Sequence, residues 1–369
     1  MHCRICHLTS VHSRYDERIF LKELKSLKKT DFDTYLIVAD GKGNEITEEG
    51  IKILDVGKPR NRKERVLDIT NRIYKKALGV NADIYHFHDP ELIPVGLKFK
   101  KLGKKVIYDV HEDVPRQILT KPYLNRISKK FLSFLFEKYE NWAVRKFDFV
   151  ITATPYIRDR FLKLVSKVVD INNYPLLEEF PEVSPWNKRE PEICYIGGIA
   201  KVRGIVELVK SLENVDTILH LAGSFESKSL EEEVRKLLGW RKVKYYGFVG
   251  RTDVQKILKS VMVGIVTLHP TLNYYVSLPV KLFEYMAAGL PVVTSNFPLW
   301  KEIVEENRCG ICVDPLNPEE IAEAIKYLLT HPKEAKVMGK KGRKAVLEKY
   351  NWDLEEKKLI KVYRELLND

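Results

Sequence analysis

Short apolar runs alternate along this sequence with stretches of helical periodicity, and the alternation occurs twice. In the first half, runs at 4–8, 34–38, 83–87, 105–109 and 149–152 predict strands. Between them, 18–29, 91–102 and 124–146 repeat apolar residues at helical spacing and predict amphipathic helices. Residues 172–188 carry Pro175, Pro181 and Pro185 and interrupt the pattern, as a linker does. It restarts with strands at 192–196, 217–221, 243–245, 263–266, 291–294 and 310–313. The chain closes on consecutive helices, with Asn351 or Asp353 as the N-cap of the last.

Strand–helix alternation of this kind predicts an α/β protein whose parallel sheets are doubly wound. The predicted division is a Rossmann-like domain at 1–172, a linker at 173–188 and a second Rossmann-like domain at 189–352. A length of 369 residues lets each domain bury its own core. Two such domains in tandem are expected to face each other across a cleft. Ligands bind open α/β sheets at the carboxyl ends of the strands, so the residues just after each strand carry the functional signal.

The first strand runs into Ser10-Val11-His12-Ser13-Arg14-Tyr15-Asp16-Glu17-Arg18, the third into His88-Asp89-Pro90-Glu91, and the fourth into His111-Glu112-Asp113. A histidine beside carboxylates at a strand end can donate to a sugar hydroxyl or move a proton. The same residues can instead cap helices and satisfy loop backbone. His111 and Asp16 are read as functional, and His86, inside a strand, as structural.

In the second half, Cys194-Tyr195-Ile196-Gly197-Gly198 leads through Arg203 and Gly204 into a helix. The glycines let a ligand approach the backbone, and Arg203 can meet a phosphate with two donors. The G-x-G-x-x-G spacing of dinucleotide folds is absent. Phe248 and Val249, after another strand, offer an apolar edge to a nucleobase. Ser277-Leu278-Pro279-Val280-Lys281-Leu282-Phe283-Glu284 opens a short helix that Gly289 and Pro291 stop. Its free N–H groups and dipole suit a phosphate, Lys281 adds a full charge, and Glu284 can accept from a ribose diol. The plain alternative is a buried helix carrying a Lys281–Glu284 surface pair.

The net charge of +12 is uneven, +9 over residues 1–180 against +3 over the rest. The excess gathers around Arg60 to Lys76 and from Arg116 to Lys146, where Lys129 and Lys130 adjoin Phe131, Leu132, Phe134, Leu135 and Phe136. No nucleic-acid recognition motif or stacking platform accompanies the charge, so no nucleic-acid partner is expected. A basic amphipathic segment fits an anionic membrane surface; otherwise the phenylalanines pack on the sheet while the lysines face water. No signal-peptide pattern and no apolar run of spanning length is present, so the expected place is cytoplasmic, peripheral on the inner membrane face. Abundant Lys and Glu beside only two Gln is the bias of thermophile proteins. Cys3 and Cys6, like Cys309 and Cys312, are three residues apart on predicted strands, and their side chains diverge. No metal or haem is expected there.

Taken in order, these segments resemble family 4 of the retaining glycosyltransferases, which have the GT-B architecture. The resemblance runs nearly the length of the chain. It rests on the loop His12-Ser13 to Asp16 and Arg18, on His88 to Glu91, on Tyr108-Asp109 to His111-Glu112, on the Gly197-Gly198 turn and on Leu282 to Val293. It implies transfer of a hexosyl group from a nucleotide diphosphate sugar, UDP- or GDP-linked, to a hydroxyl acceptor with retention. The acceptor is expected to be a saccharide or lipid-linked saccharide, in polysaccharide or glycolipid synthesis. His111 and Asp16 become the expected catalytic residues, and Arg14, His88 and Asp89 line the acceptor or sugar side. Gly197, Gly198, Arg203, Phe248, Val249, Ser277, Leu278, Lys281 and Glu284 become the donor site, with Glu284 on the ribose. Helix 353–369 is expected to return to the first domain. Fixed positive charge takes the place of a cation, so no cofactor is expected. Two positions depart from the family pattern: Val276 stands where a first acid belongs, and Gly198 where a phosphate-binding Arg belongs. Those departures motivate one alternative, a non-catalytic nucleotide-sugar-binding scaffold; a sugar-nucleotide epimerase of the same two-domain shape is the other.

Overall fold

The computed structural model describes residues 3–121 and 125–368; Leu124 and Asp369, at the ends of two predicted segments, lie outside them. The chain divides into two compact units, one running up to Asn173 and resuming at Leu354, the other spanning Tyr174–Asp353. The first unit's strands are β1 (Arg4–Leu8), β2 (Asp33–Val38), β3 (Glu45–Ile46), β4 (Lys52–Asp55), β5 (Ile84–Phe87), β6 (Lys105–Val110), β7 (Phe149–Thr152) and β8 (Val168–Asp170). They form one sheet in the order β3-β4-β2-β1-β5-β6-β7-β8, in which only β3 is antiparallel. The second unit's strands are β9 (Ile193–Ile196), β10 (Leu219–Ala222), β11 (Val243–Gly247), β12 (Val263–Val266), β13 (Val292–Ser295) and β14 (Gly310–Val313). Their order is β11-β10-β9-β12-β13-β14, all parallel. Both units are Rossmann-like and doubly wound.

Strands buried on both faces read as unbroken apolar runs, which is why the central ones stand out in the sequence. Alternate residues serve opposite faces: Ile37 joins one core of the first unit, while Leu36 and Val38 join another. In the second unit Cys194 packs on one side of the sheet and Ile193 and Tyr195 on the other. The strands that sequence pattern missed are β3, β4 and β8. Each has two to four residues, lies at or next to a sheet edge and is partly exposed, so it has no apolar run to read.

In each sheet the strand order runs outwards in both directions from a central strand. The switch falls between β1 and β5 in the first unit and between β9 and β12 in the second. In open α/β sheets such a switch, at the strand carboxyl ends, is where ligands bind. The last helix, Trp352–Asn368, belongs with the first unit from Leu354 onwards. Glu355 accepts from the Asn172 N–H at 3.0 Å, and Glu356 pairs with Lys29 at 3.1 Å. Asn351 Nδ2 donates to the carbonyls of Val346 and Leu347, closing the preceding helix Pro332–Glu348.

Candidate functional site

At the first switch point, the β1 loop is held by carboxylates from its own turn and from β5. Asp16 caps the helix Glu17–Leu24 by accepting from the Arg18 and Ile19 N–H groups at 2.9 and 3.0 Å, and its other oxygen meets His12 Nδ1 at 3.1 Å. Burial acts to raise its pKa, but His12 and the Ile19 N–H outweigh it and keep the carboxyl well below the usual range. An anion so fixed orients His12. His12, part of the loop motif but given no role from the sequence, has its ring centre 4.9 Å from that of His111 and lies four residues before Asp16.

Two residues expected on the sugar side, Arg14 and Asp89, are held by neighbouring groups. Arg14 is buried, with Nε and Nη2 on Asp40 at 2.8 Å, Nη1 on Glu45 at 2.7 Å and Nη2 on the Gly43 carbonyl at 2.9 Å. Its donors clamp two loops together. Asp89 is buried and accepts from Thr9 Oγ1 at 2.8 Å and the Ser10 N–H at 2.6 Å, so it shapes the β1 loop.

Deeper lies a closed polar cluster. Arg18 Nε and Nη2 donate to Asp109 at 3.1 and 3.0 Å, with Glu23 3.0 Å from Nε. Burial alone would raise Asp109, but Arg18 and the surrounding histidines hold its carboxyl well below the usual range. Glu23 moves the other way, pushed up by burial and by Asp109 against the pull of Arg18. The buried Arg18–Asp109 pair thus lies beside a carboxyl whose neutral form burial favours. His88 is buried between His7 and Asp109. His111 reaches the surface of the cluster, with Nε2 3.1 Å from Asp109 Oδ2. The donor atoms of His7, Glu23, His86 and His88 lie within 4.8 Å of one another, as do those of His88, Asp109 and His111. Both nitrogens of His7 and of His88 are already engaged in hydrogen bonds, so a metal ion would have to displace them.

The second unit's switch point is arranged differently. After β9, Gly197 has φ of +124° and Gly204 φ of +73°, and a Cβ on Gly204 would stand 1.8 Å from the Thr267 carbonyl oxygen. Only glycine lets the turn pack this closely. Side chains then converge on the bare backbone: a Cβ on Gly197 would meet Lys281 Nζ at 3.2 Å, and one on Gly198 would meet Arg203 Nη1 at 3.1 Å. Lys281 opens the helix Val280–Ala287 and lies over the Tyr195 ring at 3.8 Å. Its ammonium is closed off from solvent and has no hydrogen-bond partner. Burial first, then the Arg203 charge, push its pKa down to about 7, against the pull of Glu284. Gly197, Gly198, Arg203 and Lys281 thus make one positive pocket.

Glu284 lies on the same helix with its carboxylate on Arg251 at 2.7 Å, and Arg251 also pairs with Glu179. Neither Arg251 nor Glu179 was read as a site residue; their sequence positions carry no motif. Ser277 gives its carbonyl to Trp300 Nε1 at 2.7 Å, and Leu278 packs against the core beside it. Val249 also packs on that core, whereas Phe248 stands 86 % exposed after β11. Cys6, Cys194 and Cys309 are buried in the cores, and all five cysteines are free thiols.

Comparison with known proteins agrees with this architecture. Residues 177–345 match the model of the glycosyl transferases group 1, and residues 8–173 match that of Glycosyltransferase Family 4. An uncharacterised glycosyltransferase of Methanocaldococcus jannaschii is 31 % identical over 180 residues, covering 47 % of this chain and 45 % of that protein. The chain thus spans about half the length of curated relatives such as this one. Among solved structures, sucrose-phosphate synthase from Thermosynechococcus elongatus aligns with a TM-score of 0.80 at 16 % identity, covering 100 % of both chains. Anabaena HepE in complex with UDP-glucose aligns with a TM-score of 0.72 at 14 % identity, covering 99 % of this chain and 100 % of that one. With both halves matched in sequence and in fold, this chain belongs to the group 1 glycosyltransferases of GT-B architecture.

Proposed function

We propose that the protein transfers a hexosyl group from a nucleotide diphosphate sugar, UDP- or GDP-linked, to a hydroxyl acceptor with retention at the anomeric carbon. The observation that carries this reading is the positive charge at Gly197–Gly198, where Arg203 and a dry Lys281 with no hydrogen-bond partner converge on the backbone. A pyrophosphate supplies the missing anion. As the donor bond breaks, negative charge grows on that leaving group, so cations fixed there stabilise the transition state more than the ground state. Glu284, held by Arg251, is the group assigned to the ribose, and Phe248 and Val249 the edge assigned to the base. In the first unit, His111 is the group assigned to the reacting sugar. No bound cation is assigned a role. Thermal unfolding with UDP-, GDP- and ADP-sugars tests the reading, because a ligand specific to the folded state raises the melting temperature. One donor should stabilise the protein and be turned over only when an acceptor is present. Conversion of the donor alone would indicate an epimerase, binding without turnover a scaffold, and no stabilisation by any of them would refute the donor site.

For the acceptor we infer a lipid-linked saccharide reached from an anionic membrane surface. Helix Arg126–Val144 leaves Ile127, Phe131, Phe134 and Leu135 exposed beside Lys129 and Lys130, while Phe136 and Tyr139 pack on the core. Among the described residues no helix is long and apolar enough to cross a membrane. Basic residues near an anionic bilayer contribute about 1 kcal/mol each. Sedimentation with anionic but not neutral vesicles is expected, reversed by salt and weakened by Lys129→Glu with Lys130→Glu. Absence of binding at low salt would favour a soluble acceptor.

A further inference from the structure

The buried histidines of the first unit form a hydrogen-bonded relay whose direction follows from its two ends. Asp109 Oδ2 lies 3.2 Å from His88 Nδ1 and 3.1 Å from His111 Nε2. A carboxylate only accepts, and Arg18 keeps this one ionised, so we assign a proton to each facing nitrogen, the two lying 3.1 Å apart and sharing that oxygen. Burial and its histidine neighbours keep His88 in the neutral form, which leaves its Nε2 a bare acceptor. His7 Nδ1, 2.9 Å away, must therefore donate to it. His7 is kept neutral in the same way, so its Nε2 takes the hydroxyl proton of Tyr363 at 2.8 Å. The Tyr363 oxygen then accepts from His86 Nδ1 at 2.6 Å. His86 Nε2 is left with a lone pair and no donor, in keeping with its lack of any hydrogen-bond partner. This set of protons satisfies each contact along the relay from Asp109 to His86, and it makes the 3.1 Å approach of His88 Nδ1 to His111 Nε2 a pair of donors sharing one carboxylate oxygen.

The structure assigns Tyr363, His7 and His88 as positioning residues that fix Asp109 and hold His111 in its Nε2–H tautomer, making the last helix a working part of the candidate catalytic centre. The relay spans β1, β5, β6 and a helix some 350 positions from β1, with Tyr363 wholly buried among them. In that tautomer the other nitrogen of the His111 ring, Nδ1, is the one with the lone pair. A ring free to exchange tautomers would present that lone pair only part of the time. The functional part of this assignment rests on His111 meeting the sugar, as proposed above.

Nitrogen-15 spectra of histidine-labelled wild-type protein read the tautomers directly and need no variant. His7, His86 and His88 should each carry the proton on Nδ1, and His111 on Nε2; an Nε2–H form of His7 or His88 would overturn the relay. Tyr363→Phe removes one hydroxyl and keeps the ring. It should convert the His7 and His111 nitrogen signals towards mixed tautomers and lower kcat by about 3- to 10-fold, with the donor KM within about twofold. If that variant merely melts earlier while kcat and the His111 signals stay as in the wild type, Tyr363 is structural only and the assignment fails. Should Tyr363→Phe not fold, His7→Gln is read in the same way, with the same outcomes. The spectra are taken on the free protein, so they decide the relay whether or not any donor is turned over.

Discussion

The two switch points of this molecule treat buried charge in opposite ways. In the first unit, Arg18, Asp109, Glu23 and the histidines form a cluster in which nearly every donor finds an acceptor. In the second, Arg203 and Lys281 crowd the Gly197–Gly198 turn, and the lysine has no hydrogen-bond partner. A closed polar network holds structure and orients the groups at its edge. A dry cation left unmatched raises the energy of the free protein and waits for an anion. The same fold therefore supplies a rigid positioning device on one sheet and a ligand seat on the other.

The sharpest way to break this contrast is to remove one side of the closed pair. Arg18→Met should destabilise the first unit by about 3–5 kcal/mol, because Asp109 is left buried without its counter-charge. Chemical unfolding of the ligand-free protein checks this. A loss below about 1 kcal/mol would mean that the cluster is far wetter than its burial implies.

Lys281 should behave in the opposite sense. Lys281→Met removes an unmatched buried charge, so the free protein should melt higher at pH 6, while donor affinity falls by about 1.5–3 kcal/mol, the worth of a hydrogen bond to a charged group. The sign with pH follows from its depressed pKa. The unfolded lysine titrates near 10.5 and the folded one near about 7, so between those values the unfolded chain binds the extra proton. Stability of the free second unit should thus rise with pH across that window, and the rise should vanish in Lys281→Met. A pyrophosphate restores the charged form, so donor binding at pH 8 should take up a proton. Calorimetry in two buffers of different protonation enthalpy measures it, and zero uptake would remove Lys281 from the donor seat.

How much of this was legible beforehand differs between the two sites for a physical reason. The positive pocket is built from short-range sequence: a glycine turn after a strand and a lysine in the first turn of a helix, each recognisable where it stands. The positions of the strands were likewise readable wherever strands are buried on both faces, and were missed at β3, β4 and β8. The histidine cluster is non-local. His86 in a strand reads as an ordinary core residue, and nothing near His7 announces Tyr363, which only the returning last helix brings within 2.8 Å. Arg14 shows the converse, a charged loop residue that looks available until Asp40 and Glu45 are seen to occupy it.

The smallest expected effect concerns Phe248, and it separates a ligand contact from a structural one. At 86 % exposure its ring covers almost nothing in the free protein. Truncation at such a surface position usually changes stability by less than about 0.5 kcal/mol. If the ring closes over a nucleobase, however, it gains contact only when donor is bound, and an aromatic pair of this kind contributes about 0.5–1.5 kcal/mol. Phe248→Ala should therefore leave the melting temperature of the free protein unchanged while weakening the nucleoside diphosphate by about 2- to 12-fold. The loss should be equal for the sugar nucleotide and for the bare diphosphate, since the ring faces the base and not the sugar. An affinity that does not move would place the base elsewhere, leaving Val249 and the backbone of that loop without a role in donor recognition.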